Sequence, residues 1–393
     1  MAASNRSKRV WLTAQQCDLA EFRALVERGV NAADYPFAAA VEKNVLIYEG
    51  DAARDAAGDP DRRRALLAEW VEALTTGPGV VAFKGAFADT APIDTATALF
   101  NAMIAEQHAS GTGGGDHFAK PGANDRIWNA LEKLCLRDPG NFAAYYGNEI
   151  IALISEAWLG PAYQMTSQVN CVNPGGAAQS AHRDYHLGFQ SAAMVGRYPA
   201  HVHALSPLLT LQGAVAHCDM PLESGPTLYL PFSQAYLHGY LATGLSAFKE
   251  YFAEHHVQLA LEKGDAVFFN PALFHAAGNN RSADIRRMAN LLQVSSPYGR
   301  AMESVDRTKM SEALYPALQA MLAAGSIDKG GAANAIASAA EGYSFPTNLD
   351  RDPPLGGLAP ETQQALFHRA LDAGWSPAAF ATALHEQAAK KLT

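Results

Sequence analysis

The chain has 393 residues, of which 49% are hydrophobic and 18% are charged, a composition typical of a folded globular protein rather than a disordered or fibrous one. Its 30 basic and 39 acidic residues give a formal net charge of −9, which opposes binding to the phosphate backbone of nucleic acids. The four cysteines form no Cys-x-x-Cys pair, and we expect neither a secretory signal nor a membrane span, which needs about 18 consecutive apolar residues. These features predict a cytoplasmic protein with no nucleic-acid or membrane partner.

The N-terminal stretch has the spacing of amphipathic helices. Apolar residues recur at helical intervals in DLAEFRALVERGV and RRRALLAEWVEAL, and Gly29 and Gly77 are the expected helix ends. We therefore predict a helical N-terminal extension over residues 1–78.

A short β-branched segment, GVVAFKGAF at residues 79–87, predicts the first strand of the next region. A helix over about 92–107 follows, and it leads into the glycine-rich stretch HASGTGGGDH. No Gly-Lys-Ser/Thr follows those glycines, so they predict a flexible loop near a substrate entrance rather than a phosphate cradle. Two further helical segments, IWNALEKLCL and NEIIALISEAWLG, precede the next change of pattern.

From about residue 163 to residue 298 the chain becomes a series of short strands. QMTSQVNCV, LLTLQGAVAH, TLYLPF, AVFFNP and MANLLQVS are rich in β-formers and are separated by turn residues. Strands at this spacing favour an antiparallel jelly roll over a parallel, doubly wound sheet. We predict an α+β protein whose double-stranded β-helix (jelly-roll) core covers residues 79–298.

After Pro297 the helical pattern returns and continues to the end of the sequence, which predicts a helical C-terminal extension over residues 299–393. We expect both extensions to pack on the core as one elaborated domain. Their amphipathic spacing predicts a lid over the site or a surface for homo-oligomer formation.

The segment AHRDYHLGFQ contains the first candidate metal ligands. On an extended segment His182 and Asp184 point to the same side, so both can face one metal ion. His275, in KGDAVFFNPALFHAAGNNRS, is the candidate third ligand from a distant strand. Two imidazoles and one carboxylate form the facial triad of non-haem Fe(II) oxygenases. A His-x-Asp pair alone is weak evidence, and spacing does not distinguish iron from Mn, Co or Zn.

Arg286 lies eleven residues after His275, just before an apolar strand. From there its guanidinium can hold a carboxylate through two parallel hydrogen bonds, as a dicarboxylic co-substrate such as 2-oxoglutarate requires. The alternative is that Arg286 and Arg287 are both surface charges at the end of the strand.

The order of these segments resembles the phytanoyl-CoA dioxygenase family of Fe(II)/2-oxoglutarate-dependent oxygenases. The matching pieces are GVVAFKGAF, LGPAYQMTSQVNCVNPGG, HRDYHLGF, ESGPTLYLPFS, KGDAVFFNPALFHAAGNNRS and RRMANLLQVS, which together span a little over half the chain. The chain departs from the family pattern at two places. Residues 231–234 are Pro-Phe-Ser-Gln, where many relatives have Pro-Gly-Ser-His, and residue 277 is alanine, where relatives have a small hydroxyl residue.

The resemblance implies that His182, Asp184 and His275 bind iron and that Arg286 binds the distal carboxylate of 2-oxoglutarate. Gln168 and Asn170, which point to one side of the preceding strand, are further candidates for co-substrate contact, with ladder-edge polar residues as the alternative.

With O2 as the second co-substrate, the implied reaction is hydroxylation of a small organic substrate with release of succinate and CO2. The carboxylate of Asp184 disfavours halogenation, since related halogenases have a small residue at that position. Two other classes of function stay open: a cupin-like isomerase or dioxygenase that uses the triad without 2-oxoglutarate, and a non-catalytic binding protein.

Overall fold

The computed structural model of the protein describes residues 2–111 and 122–392. Its strands are β1 (Ala40–Glu42), β2 (Val45–Glu49), β3 (Val80–Lys84), β4 (Asn124–Ile127), β5 (Gln164–Val172), β6 (Thr210–Ala216), β7 (Leu228–Leu230), β8 (Ala266–Phe269), β9 (Phe274–Ala276) and β10 (Arg287–Ser295). The glycine-rich entrance loop that the sequence predicts lies, from residue 112 onward, outside the described residues.

Helices precede, separate and follow these strands along the chain. They are α1 (Ala2–Val10), α2 (Leu19–Val26), α3 (Gly50–Ala57), α4 (Pro60–Thr75), α5 (Ala91–Ser110), α6 (Ala130–Arg137), α7 (Pro139–Tyr146), α8 (Glu149–Leu159), α9 (Ala192–Val195), α10 (Ala200–Leu205), α11 (Gly239–Ala242), α12 (Ser246–His255), α13 (Arg307–Ala324), α14 (Lys329–Ala339), α15 (Gln363–Asp372) and α16 (Pro377–Lys391). Within the described ranges, none of these helices is long and apolar enough to cross a membrane.

The strands form two sheets. The larger sheet has the order β1-β2-β3-β8-β6-β10-β5-β4, and the smaller pairs β7 with β9. The pairings of β3 with β8, β6 with β8, and β7 with β9 are antiparallel, whereas β2 with β3 is parallel. The predicted α+β class with a jelly-roll core is confirmed.

Contacts divide the chain into two compact units, each assembled from separate stretches. The first unit comprises Met1–Ala88, Ile104–Arg126 and Val169–Leu292, and the second comprises Asp89–Met103, Ile127–Gln168 and Gln293–Thr393. Strands β5 and β10 contribute residues to both units. The predicted boundaries after residues 78 and 298 stay predictions, since a compact unit need not coincide with a domain.

The first unit has two apolar clusters on opposite faces of β9. We call the first the interior cluster; its buried members are Val45, Ile47, Val80, Ala82, Ala216, Met220, Tyr229, Leu259, Leu261, Val267, Phe269 and Leu273. Phe274 and Ala276 of β9 belong instead to an outer cluster with Phe22 of α2. Because side chains alternate along a strand, His275 between them faces the interior cluster. Its ring centroid lies 4.8 Å from that of Phe269.

The N-terminal region differs from the helical prediction by containing the hairpin of β1 and β2. Lys43 and Asn44 join the two strands and have positive φ angles of 52° and 65°, as the central residues of a tight hairpin turn require. The buried run VLIY of β2 pairs in parallel with β3. Sequence analysis missed this hairpin because Lys-Asn is a weaker turn signal than Asn-Gly.

The second unit has an aromatic core between its C-terminal helices. The ring of Tyr315, on α13, stacks on that of Phe380, on α16, with centroids 4.1 Å apart. Phe367 of α15 completes the group. The C-terminal stretch is thus helical, as predicted.

Candidate metal and co-substrate site

The structure brings His182, Asp184 and His275 together in the first unit. Backbone hydrogen bonds between His182 and His275, of 3.0 and 3.2 Å, hold the two segments side by side. Nε2 of His275 lies 3.1 Å from Oδ2 of Asp184, and Nε2 of His182 lies 3.6 Å from Oδ1 of the same carboxylate. One ligand atom from each residue therefore falls within 4.8 Å of the other two.

Neighbouring groups orient these three side chains for a shared cation. The Nδ1 atoms of His182 and His275 lie 2.9 Å from the carbonyl of Ser180 and 2.8 Å from that of Leu273. Each Nδ1–H thus donates to a carbonyl, which leaves the lone pair on Nε2, the tautomer that metal-bound histidines use. Two nitrogen lone pairs and a carboxylate facing one another fit a divalent metal ion.

The carboxylate of Asp184 is prepared for this role by its surroundings. Nε2 of Gln212, on β6, donates a hydrogen bond to its Oδ2. Burial alone would raise the pKa of Asp184, but in the metal-free protein protonated imidazoles of His182 and His275, together with the Gln212 amide, lower it well below its ordinary value. The carboxylate is consequently ionised at neutral pH and available as a ligand.

A tight turn directly follows the candidate ligands His182 and Asp184. Tyr185 and His186 have positive φ angles of 60° and 46°, a region that non-glycine residues adopt uncommonly and bulky residues least of all. The turn closes with a 2.8 Å hydrogen bond from Gly188 to the carbonyl of Tyr185. A Cβ atom at Gly188 would lie 2.1 Å from the carbonyl oxygen of Arg183, so only glycine fits there.

Arg286, the arginine predicted to hold the co-substrate, is engaged elsewhere in the first unit. Its side chain is 47% exposed, and its Nη2 lies 3.5 Å from Oδ2 of Asp125. Its Nε also donates to Asn173 at 3.3 Å, and His108 contacts the other oxygen of Asp125 at 2.7 Å. Arg286 thus belongs to a polar network that includes Asp125, and the prediction of its role stays a prediction.

Arg287, the next residue, faces the interior cluster. It is two residues before Ala289, which packs against that cluster, so the two side chains share one face of β10. Arg287 is only 6% exposed, and no carboxylate of the described residues pairs with it. Its buried Nη1 has no hydrogen-bond partner within that part of the chain, and burial lowers its pKa to about 10.

A buried guanidinium on the interior face, without a carboxylate partner among the described residues, fits the distal carboxylate of 2-oxoglutarate, because buried charges are normally paired. The spacing from His275 pointed to Arg286 and did not indicate a binding role for Arg287. The alternation of side chains along β10, which places Arg287 on the same face as Ala289, is the signal in the sequence that favours Arg287.

The two amides predicted to touch the co-substrate fall into different units. Asn170 is buried in the first unit, where its Oδ1 accepts a 3.0 Å hydrogen bond from Nδ2 of Asn124. Gln168 is buried in the second unit, and its Nε2 has no hydrogen-bond partner among residues 2–111 and 122–392. Their predicted roles stay predictions.

Several solved structures are similar to the chain. The α-ketoglutarate-dependent epimerase SnoN from nogalamycin biosynthesis is 18% identical over 61% of this chain and 82% of its own, with a TM-score of 0.42. The carbocyclase SnoK from the same biosynthesis is 20% identical over 60% and 86%, with a TM-score of 0.41. EvdMO1 is 16% identical over 59% and 50%, with a TM-score of 0.42. Similarity at this level does not assign an activity, and no curated protein matches the chain.

The match to a family model is more extensive. The model of phytanoyl-CoA dioxygenase (PhyH) matches residues 60–288, which is more than half of the 393 residues and includes all three triad members. The chain therefore belongs to the phytanoyl-CoA dioxygenase family, as its sequence motifs indicated, and is an enzyme dependent on Fe(II) and 2-oxoglutarate, with O2 as co-substrate.

Proposed function

We propose that this enzyme is a hydroxylase that oxidises an unactivated C–H bond of a small organic substrate and releases succinate and CO2. The observation that carries the proposal is the combination of the His182, Asp184 and His275 ligand set with Arg287, which is buried in the same unit and pairs with no carboxylate of residues 2–111 and 122–392. Iron bound by the three ligands supplies the oxidising chemistry, by activating O2 together with 2-oxoglutarate.

The side chains of the chain hold and orient the reactants. His182, Asp184 and His275 would hold the metal ion, and a set of only three protein ligands would leave coordination positions for ligands that are not protein. Because Asp184 is present as a ligand, a halide has no vacated position at the metal, and hydroxylation is favoured over halogenation. The Ser180 and Leu273 carbonyls keep both imidazoles in the ligand tautomer throughout.

Arg287 is our proposed partner for the distal carboxylate of 2-oxoglutarate, in place of the neighbouring Arg286. A guanidinium binds a carboxylate through two parallel hydrogen bonds, and such bonds are strongest where water is excluded. Arg287 is buried on the interior face, whereas half-exposed Arg286 already contacts Asp125. Binding of 2-oxoglutarate would thus supply the negative counter-charge that the described residues do not give Arg287.

The decisive experiment is an assay of co-substrate turnover with the full chain, Fe(II), ascorbate and 2-oxoglutarate. The proposal expects O2-dependent succinate formation that increases when the correct primary substrate is added from a panel. A cupin-like enzyme that uses the triad without 2-oxoglutarate would form no succinate, and a non-catalytic protein would neither bind metal nor respond to alanine at His182. Product mass increased by one oxygen atom would establish hydroxylation, as distinct from epimerisation or ring closure.

A further inference from the structure

A cavity lies in the first unit, and Arg183 of the segment that holds His182 and Asp184 contributes to its lining. Its volume is about 200 Å³, and Arg183 and His203 line it together with Pro207, Leu208 and Leu237. Arg183 stands between two metal ligands in sequence, but its guanidinium lies 5.3 Å from the ring centroid of Phe274, a member of the outer cluster. The cavity is therefore separate from the interior face to which His275 and Arg287 contribute.

Arg183 places a positive charge in the wall of this cavity. It is 3% exposed, and its Nη2 donates to the carbonyls of Ser233 and Tyr236 at 2.6 and 2.9 Å. Its Nε is buried without a hydrogen-bond partner in the described chain, and no carboxylate there forms an ion pair with it. Carbonyl dipoles alone do not neutralise a buried guanidinium, so this wall is suited to an anion.

The packing around Arg183 fixes the guanidinium in place. Its Cζ lies 5.0 Å from the ring centroid of Tyr240, in addition to the contact with Phe274. A Cβ atom at Gly239 would lie 1.9 Å from Cζ of Arg183, so the glycine gives the guanidinium its space. A preorganised cation of this kind binds a carboxylate with little loss of side-chain entropy.

The lining of the cavity also includes exposed apolar side chains. Leu208 and Leu237 line the cavity and are 47% and 41% exposed, and nearby Leu205 is 47% exposed. Scattered exposed leucines are ordinary, but two that border a cavity with a cationic wall offer a binding surface for an alkyl or aryl group.

We propose that this cavity binds a small organic carboxylate with an apolar tail, with the carboxylate on Arg183 and the tail between Leu208 and Leu237. A cavity of about 150 Å³ holds a benzene molecule, so 200 Å³ accommodates a ligand the size of hexanoate or benzoate. This site is additional to the co-substrate site and does not depend on the proposed hydroxylation.

The test is calorimetric titration of the full chain with hexanoate and benzoate, with hexanol and hexylamine as uncharged and cationic controls. We expect the carboxylates to bind and hexylamine not to bind. Leu208→Trp, which enlarges a side chain of the cavity lining, should weaken carboxylate binding about tenfold or more, and so should Arg183→Met. Leu222→Trp is the matched control, because Leu222 is 42% exposed but does not line the cavity, and it should change the affinity less than twofold.

Two further outcomes decide the proposal even if Arg183→Met does not fold. Arg287→Gln should leave hexanoate binding intact, whereas loss of binding in that variant would assign the carboxylate to the co-substrate site. No binding of hexanoate or benzoate to the parent chain, or equal binding by the parent and Leu208→Trp, would overturn the proposal.

Discussion

Arg287 of the first unit and Arg307 of the second unit are both buried, and their surroundings differ. Arg307, in the second unit, contacts Glu341 through Nε at 2.9 Å and donates to the carbonyls of Ser338 and Met165 at 3.1 and 3.0 Å. Arg287, in the first unit, is equally buried but has no carboxylate partner within the described chain. Both residues are 6% exposed, so burial alone does not separate them.

The difference in partners distinguishes an arginine that stabilises the fold from an arginine that binds a ligand. A buried guanidinium with a full set of acceptors holds elements together, and the protein itself supplies its counter-charge. A buried guanidinium without such a set costs folding free energy until a ligand supplies the missing anion. We therefore interpret Arg307 as part of the scaffold and Arg287 as part of a site.

The largest effect is expected at the proposed metal ligands of the first unit. His275→Ala removes one of three ligands, so succinate formation should fall to the level without enzyme, while the far-ultraviolet circular dichroism spectrum should stay that of the parent. Turnover of 2-oxoglutarate measures the loss of activity, and a Co(II) titration followed by absorbance measures the loss of metal binding. His385→Ala, at an exposed histidine that contacts Glu312 in the second unit, is the control and should keep parental turnover. Full turnover by His275→Ala would remove the site from the first unit.

Arg307→Met tests the structural side of the comparison. It leaves Glu341 without its partner and two carbonyls without a donor, which should lower the free energy of unfolding by about 2 to 4 kcal/mol. Because Glu341 is 33% exposed, water offsets part of the loss and the effect stays below that of a fully buried pair. Urea denaturation measures it. A loss below about 0.5 kcal/mol, the size of an ordinary surface substitution, would contradict the structural role.

Arg287→Gln tests the binding side. Removal of a bidentate, charge-assisted contact should raise KM for 2-oxoglutarate by about 10- to 100-fold, which corresponds to about 1.4 to 2.8 kcal/mol. The free energy of unfolding should stay the same or increase, since an unpaired buried charge is lost. Steady-state kinetics and urea denaturation provide the two readouts.

The matched control for that variant is its neighbour. Arg286→Gln should change KM less than threefold, because half-exposed Arg286 contacts Asp125 rather than the interior cluster. If the two variants exchanged their effects, Arg286 would hold the co-substrate, as its spacing from His275 predicted.

Features set by neighbouring residues could be predicted from the sequence, whereas contacts between distant segments could not be predicted from local patterns alone. Strand β5, Gln164–Val172, coincides with the predicted segment QMTSQVNCV, because a β-rich run between turn residues is a local signal. The approach of His182 and Asp184 to His275 is a contact between distant segments, and only the order of several motifs supported it. The choice between Arg286 and Arg287 depends on which face of β10 is interior, and spacing alone does not fix that face.

The smallest predicted effect concerns the support of Asp184. Gln212→Met keeps the length of the side chain but removes the hydrogen bond to Oδ2, and loss of such an orienting contact weakens metal binding by about tenfold. The effect should be the same from pH 6 to pH 8, because the pKa of Asp184 lies well below its ordinary value and the carboxylate stays ionised in that range. Co(II) titration at both pH values measures it, with exposed Gln190→Met as the control. A loss of affinity confined to pH 6 would mean that Gln212 acts by keeping Asp184 ionised, whereas a constant loss means that it orients an already charged ligand.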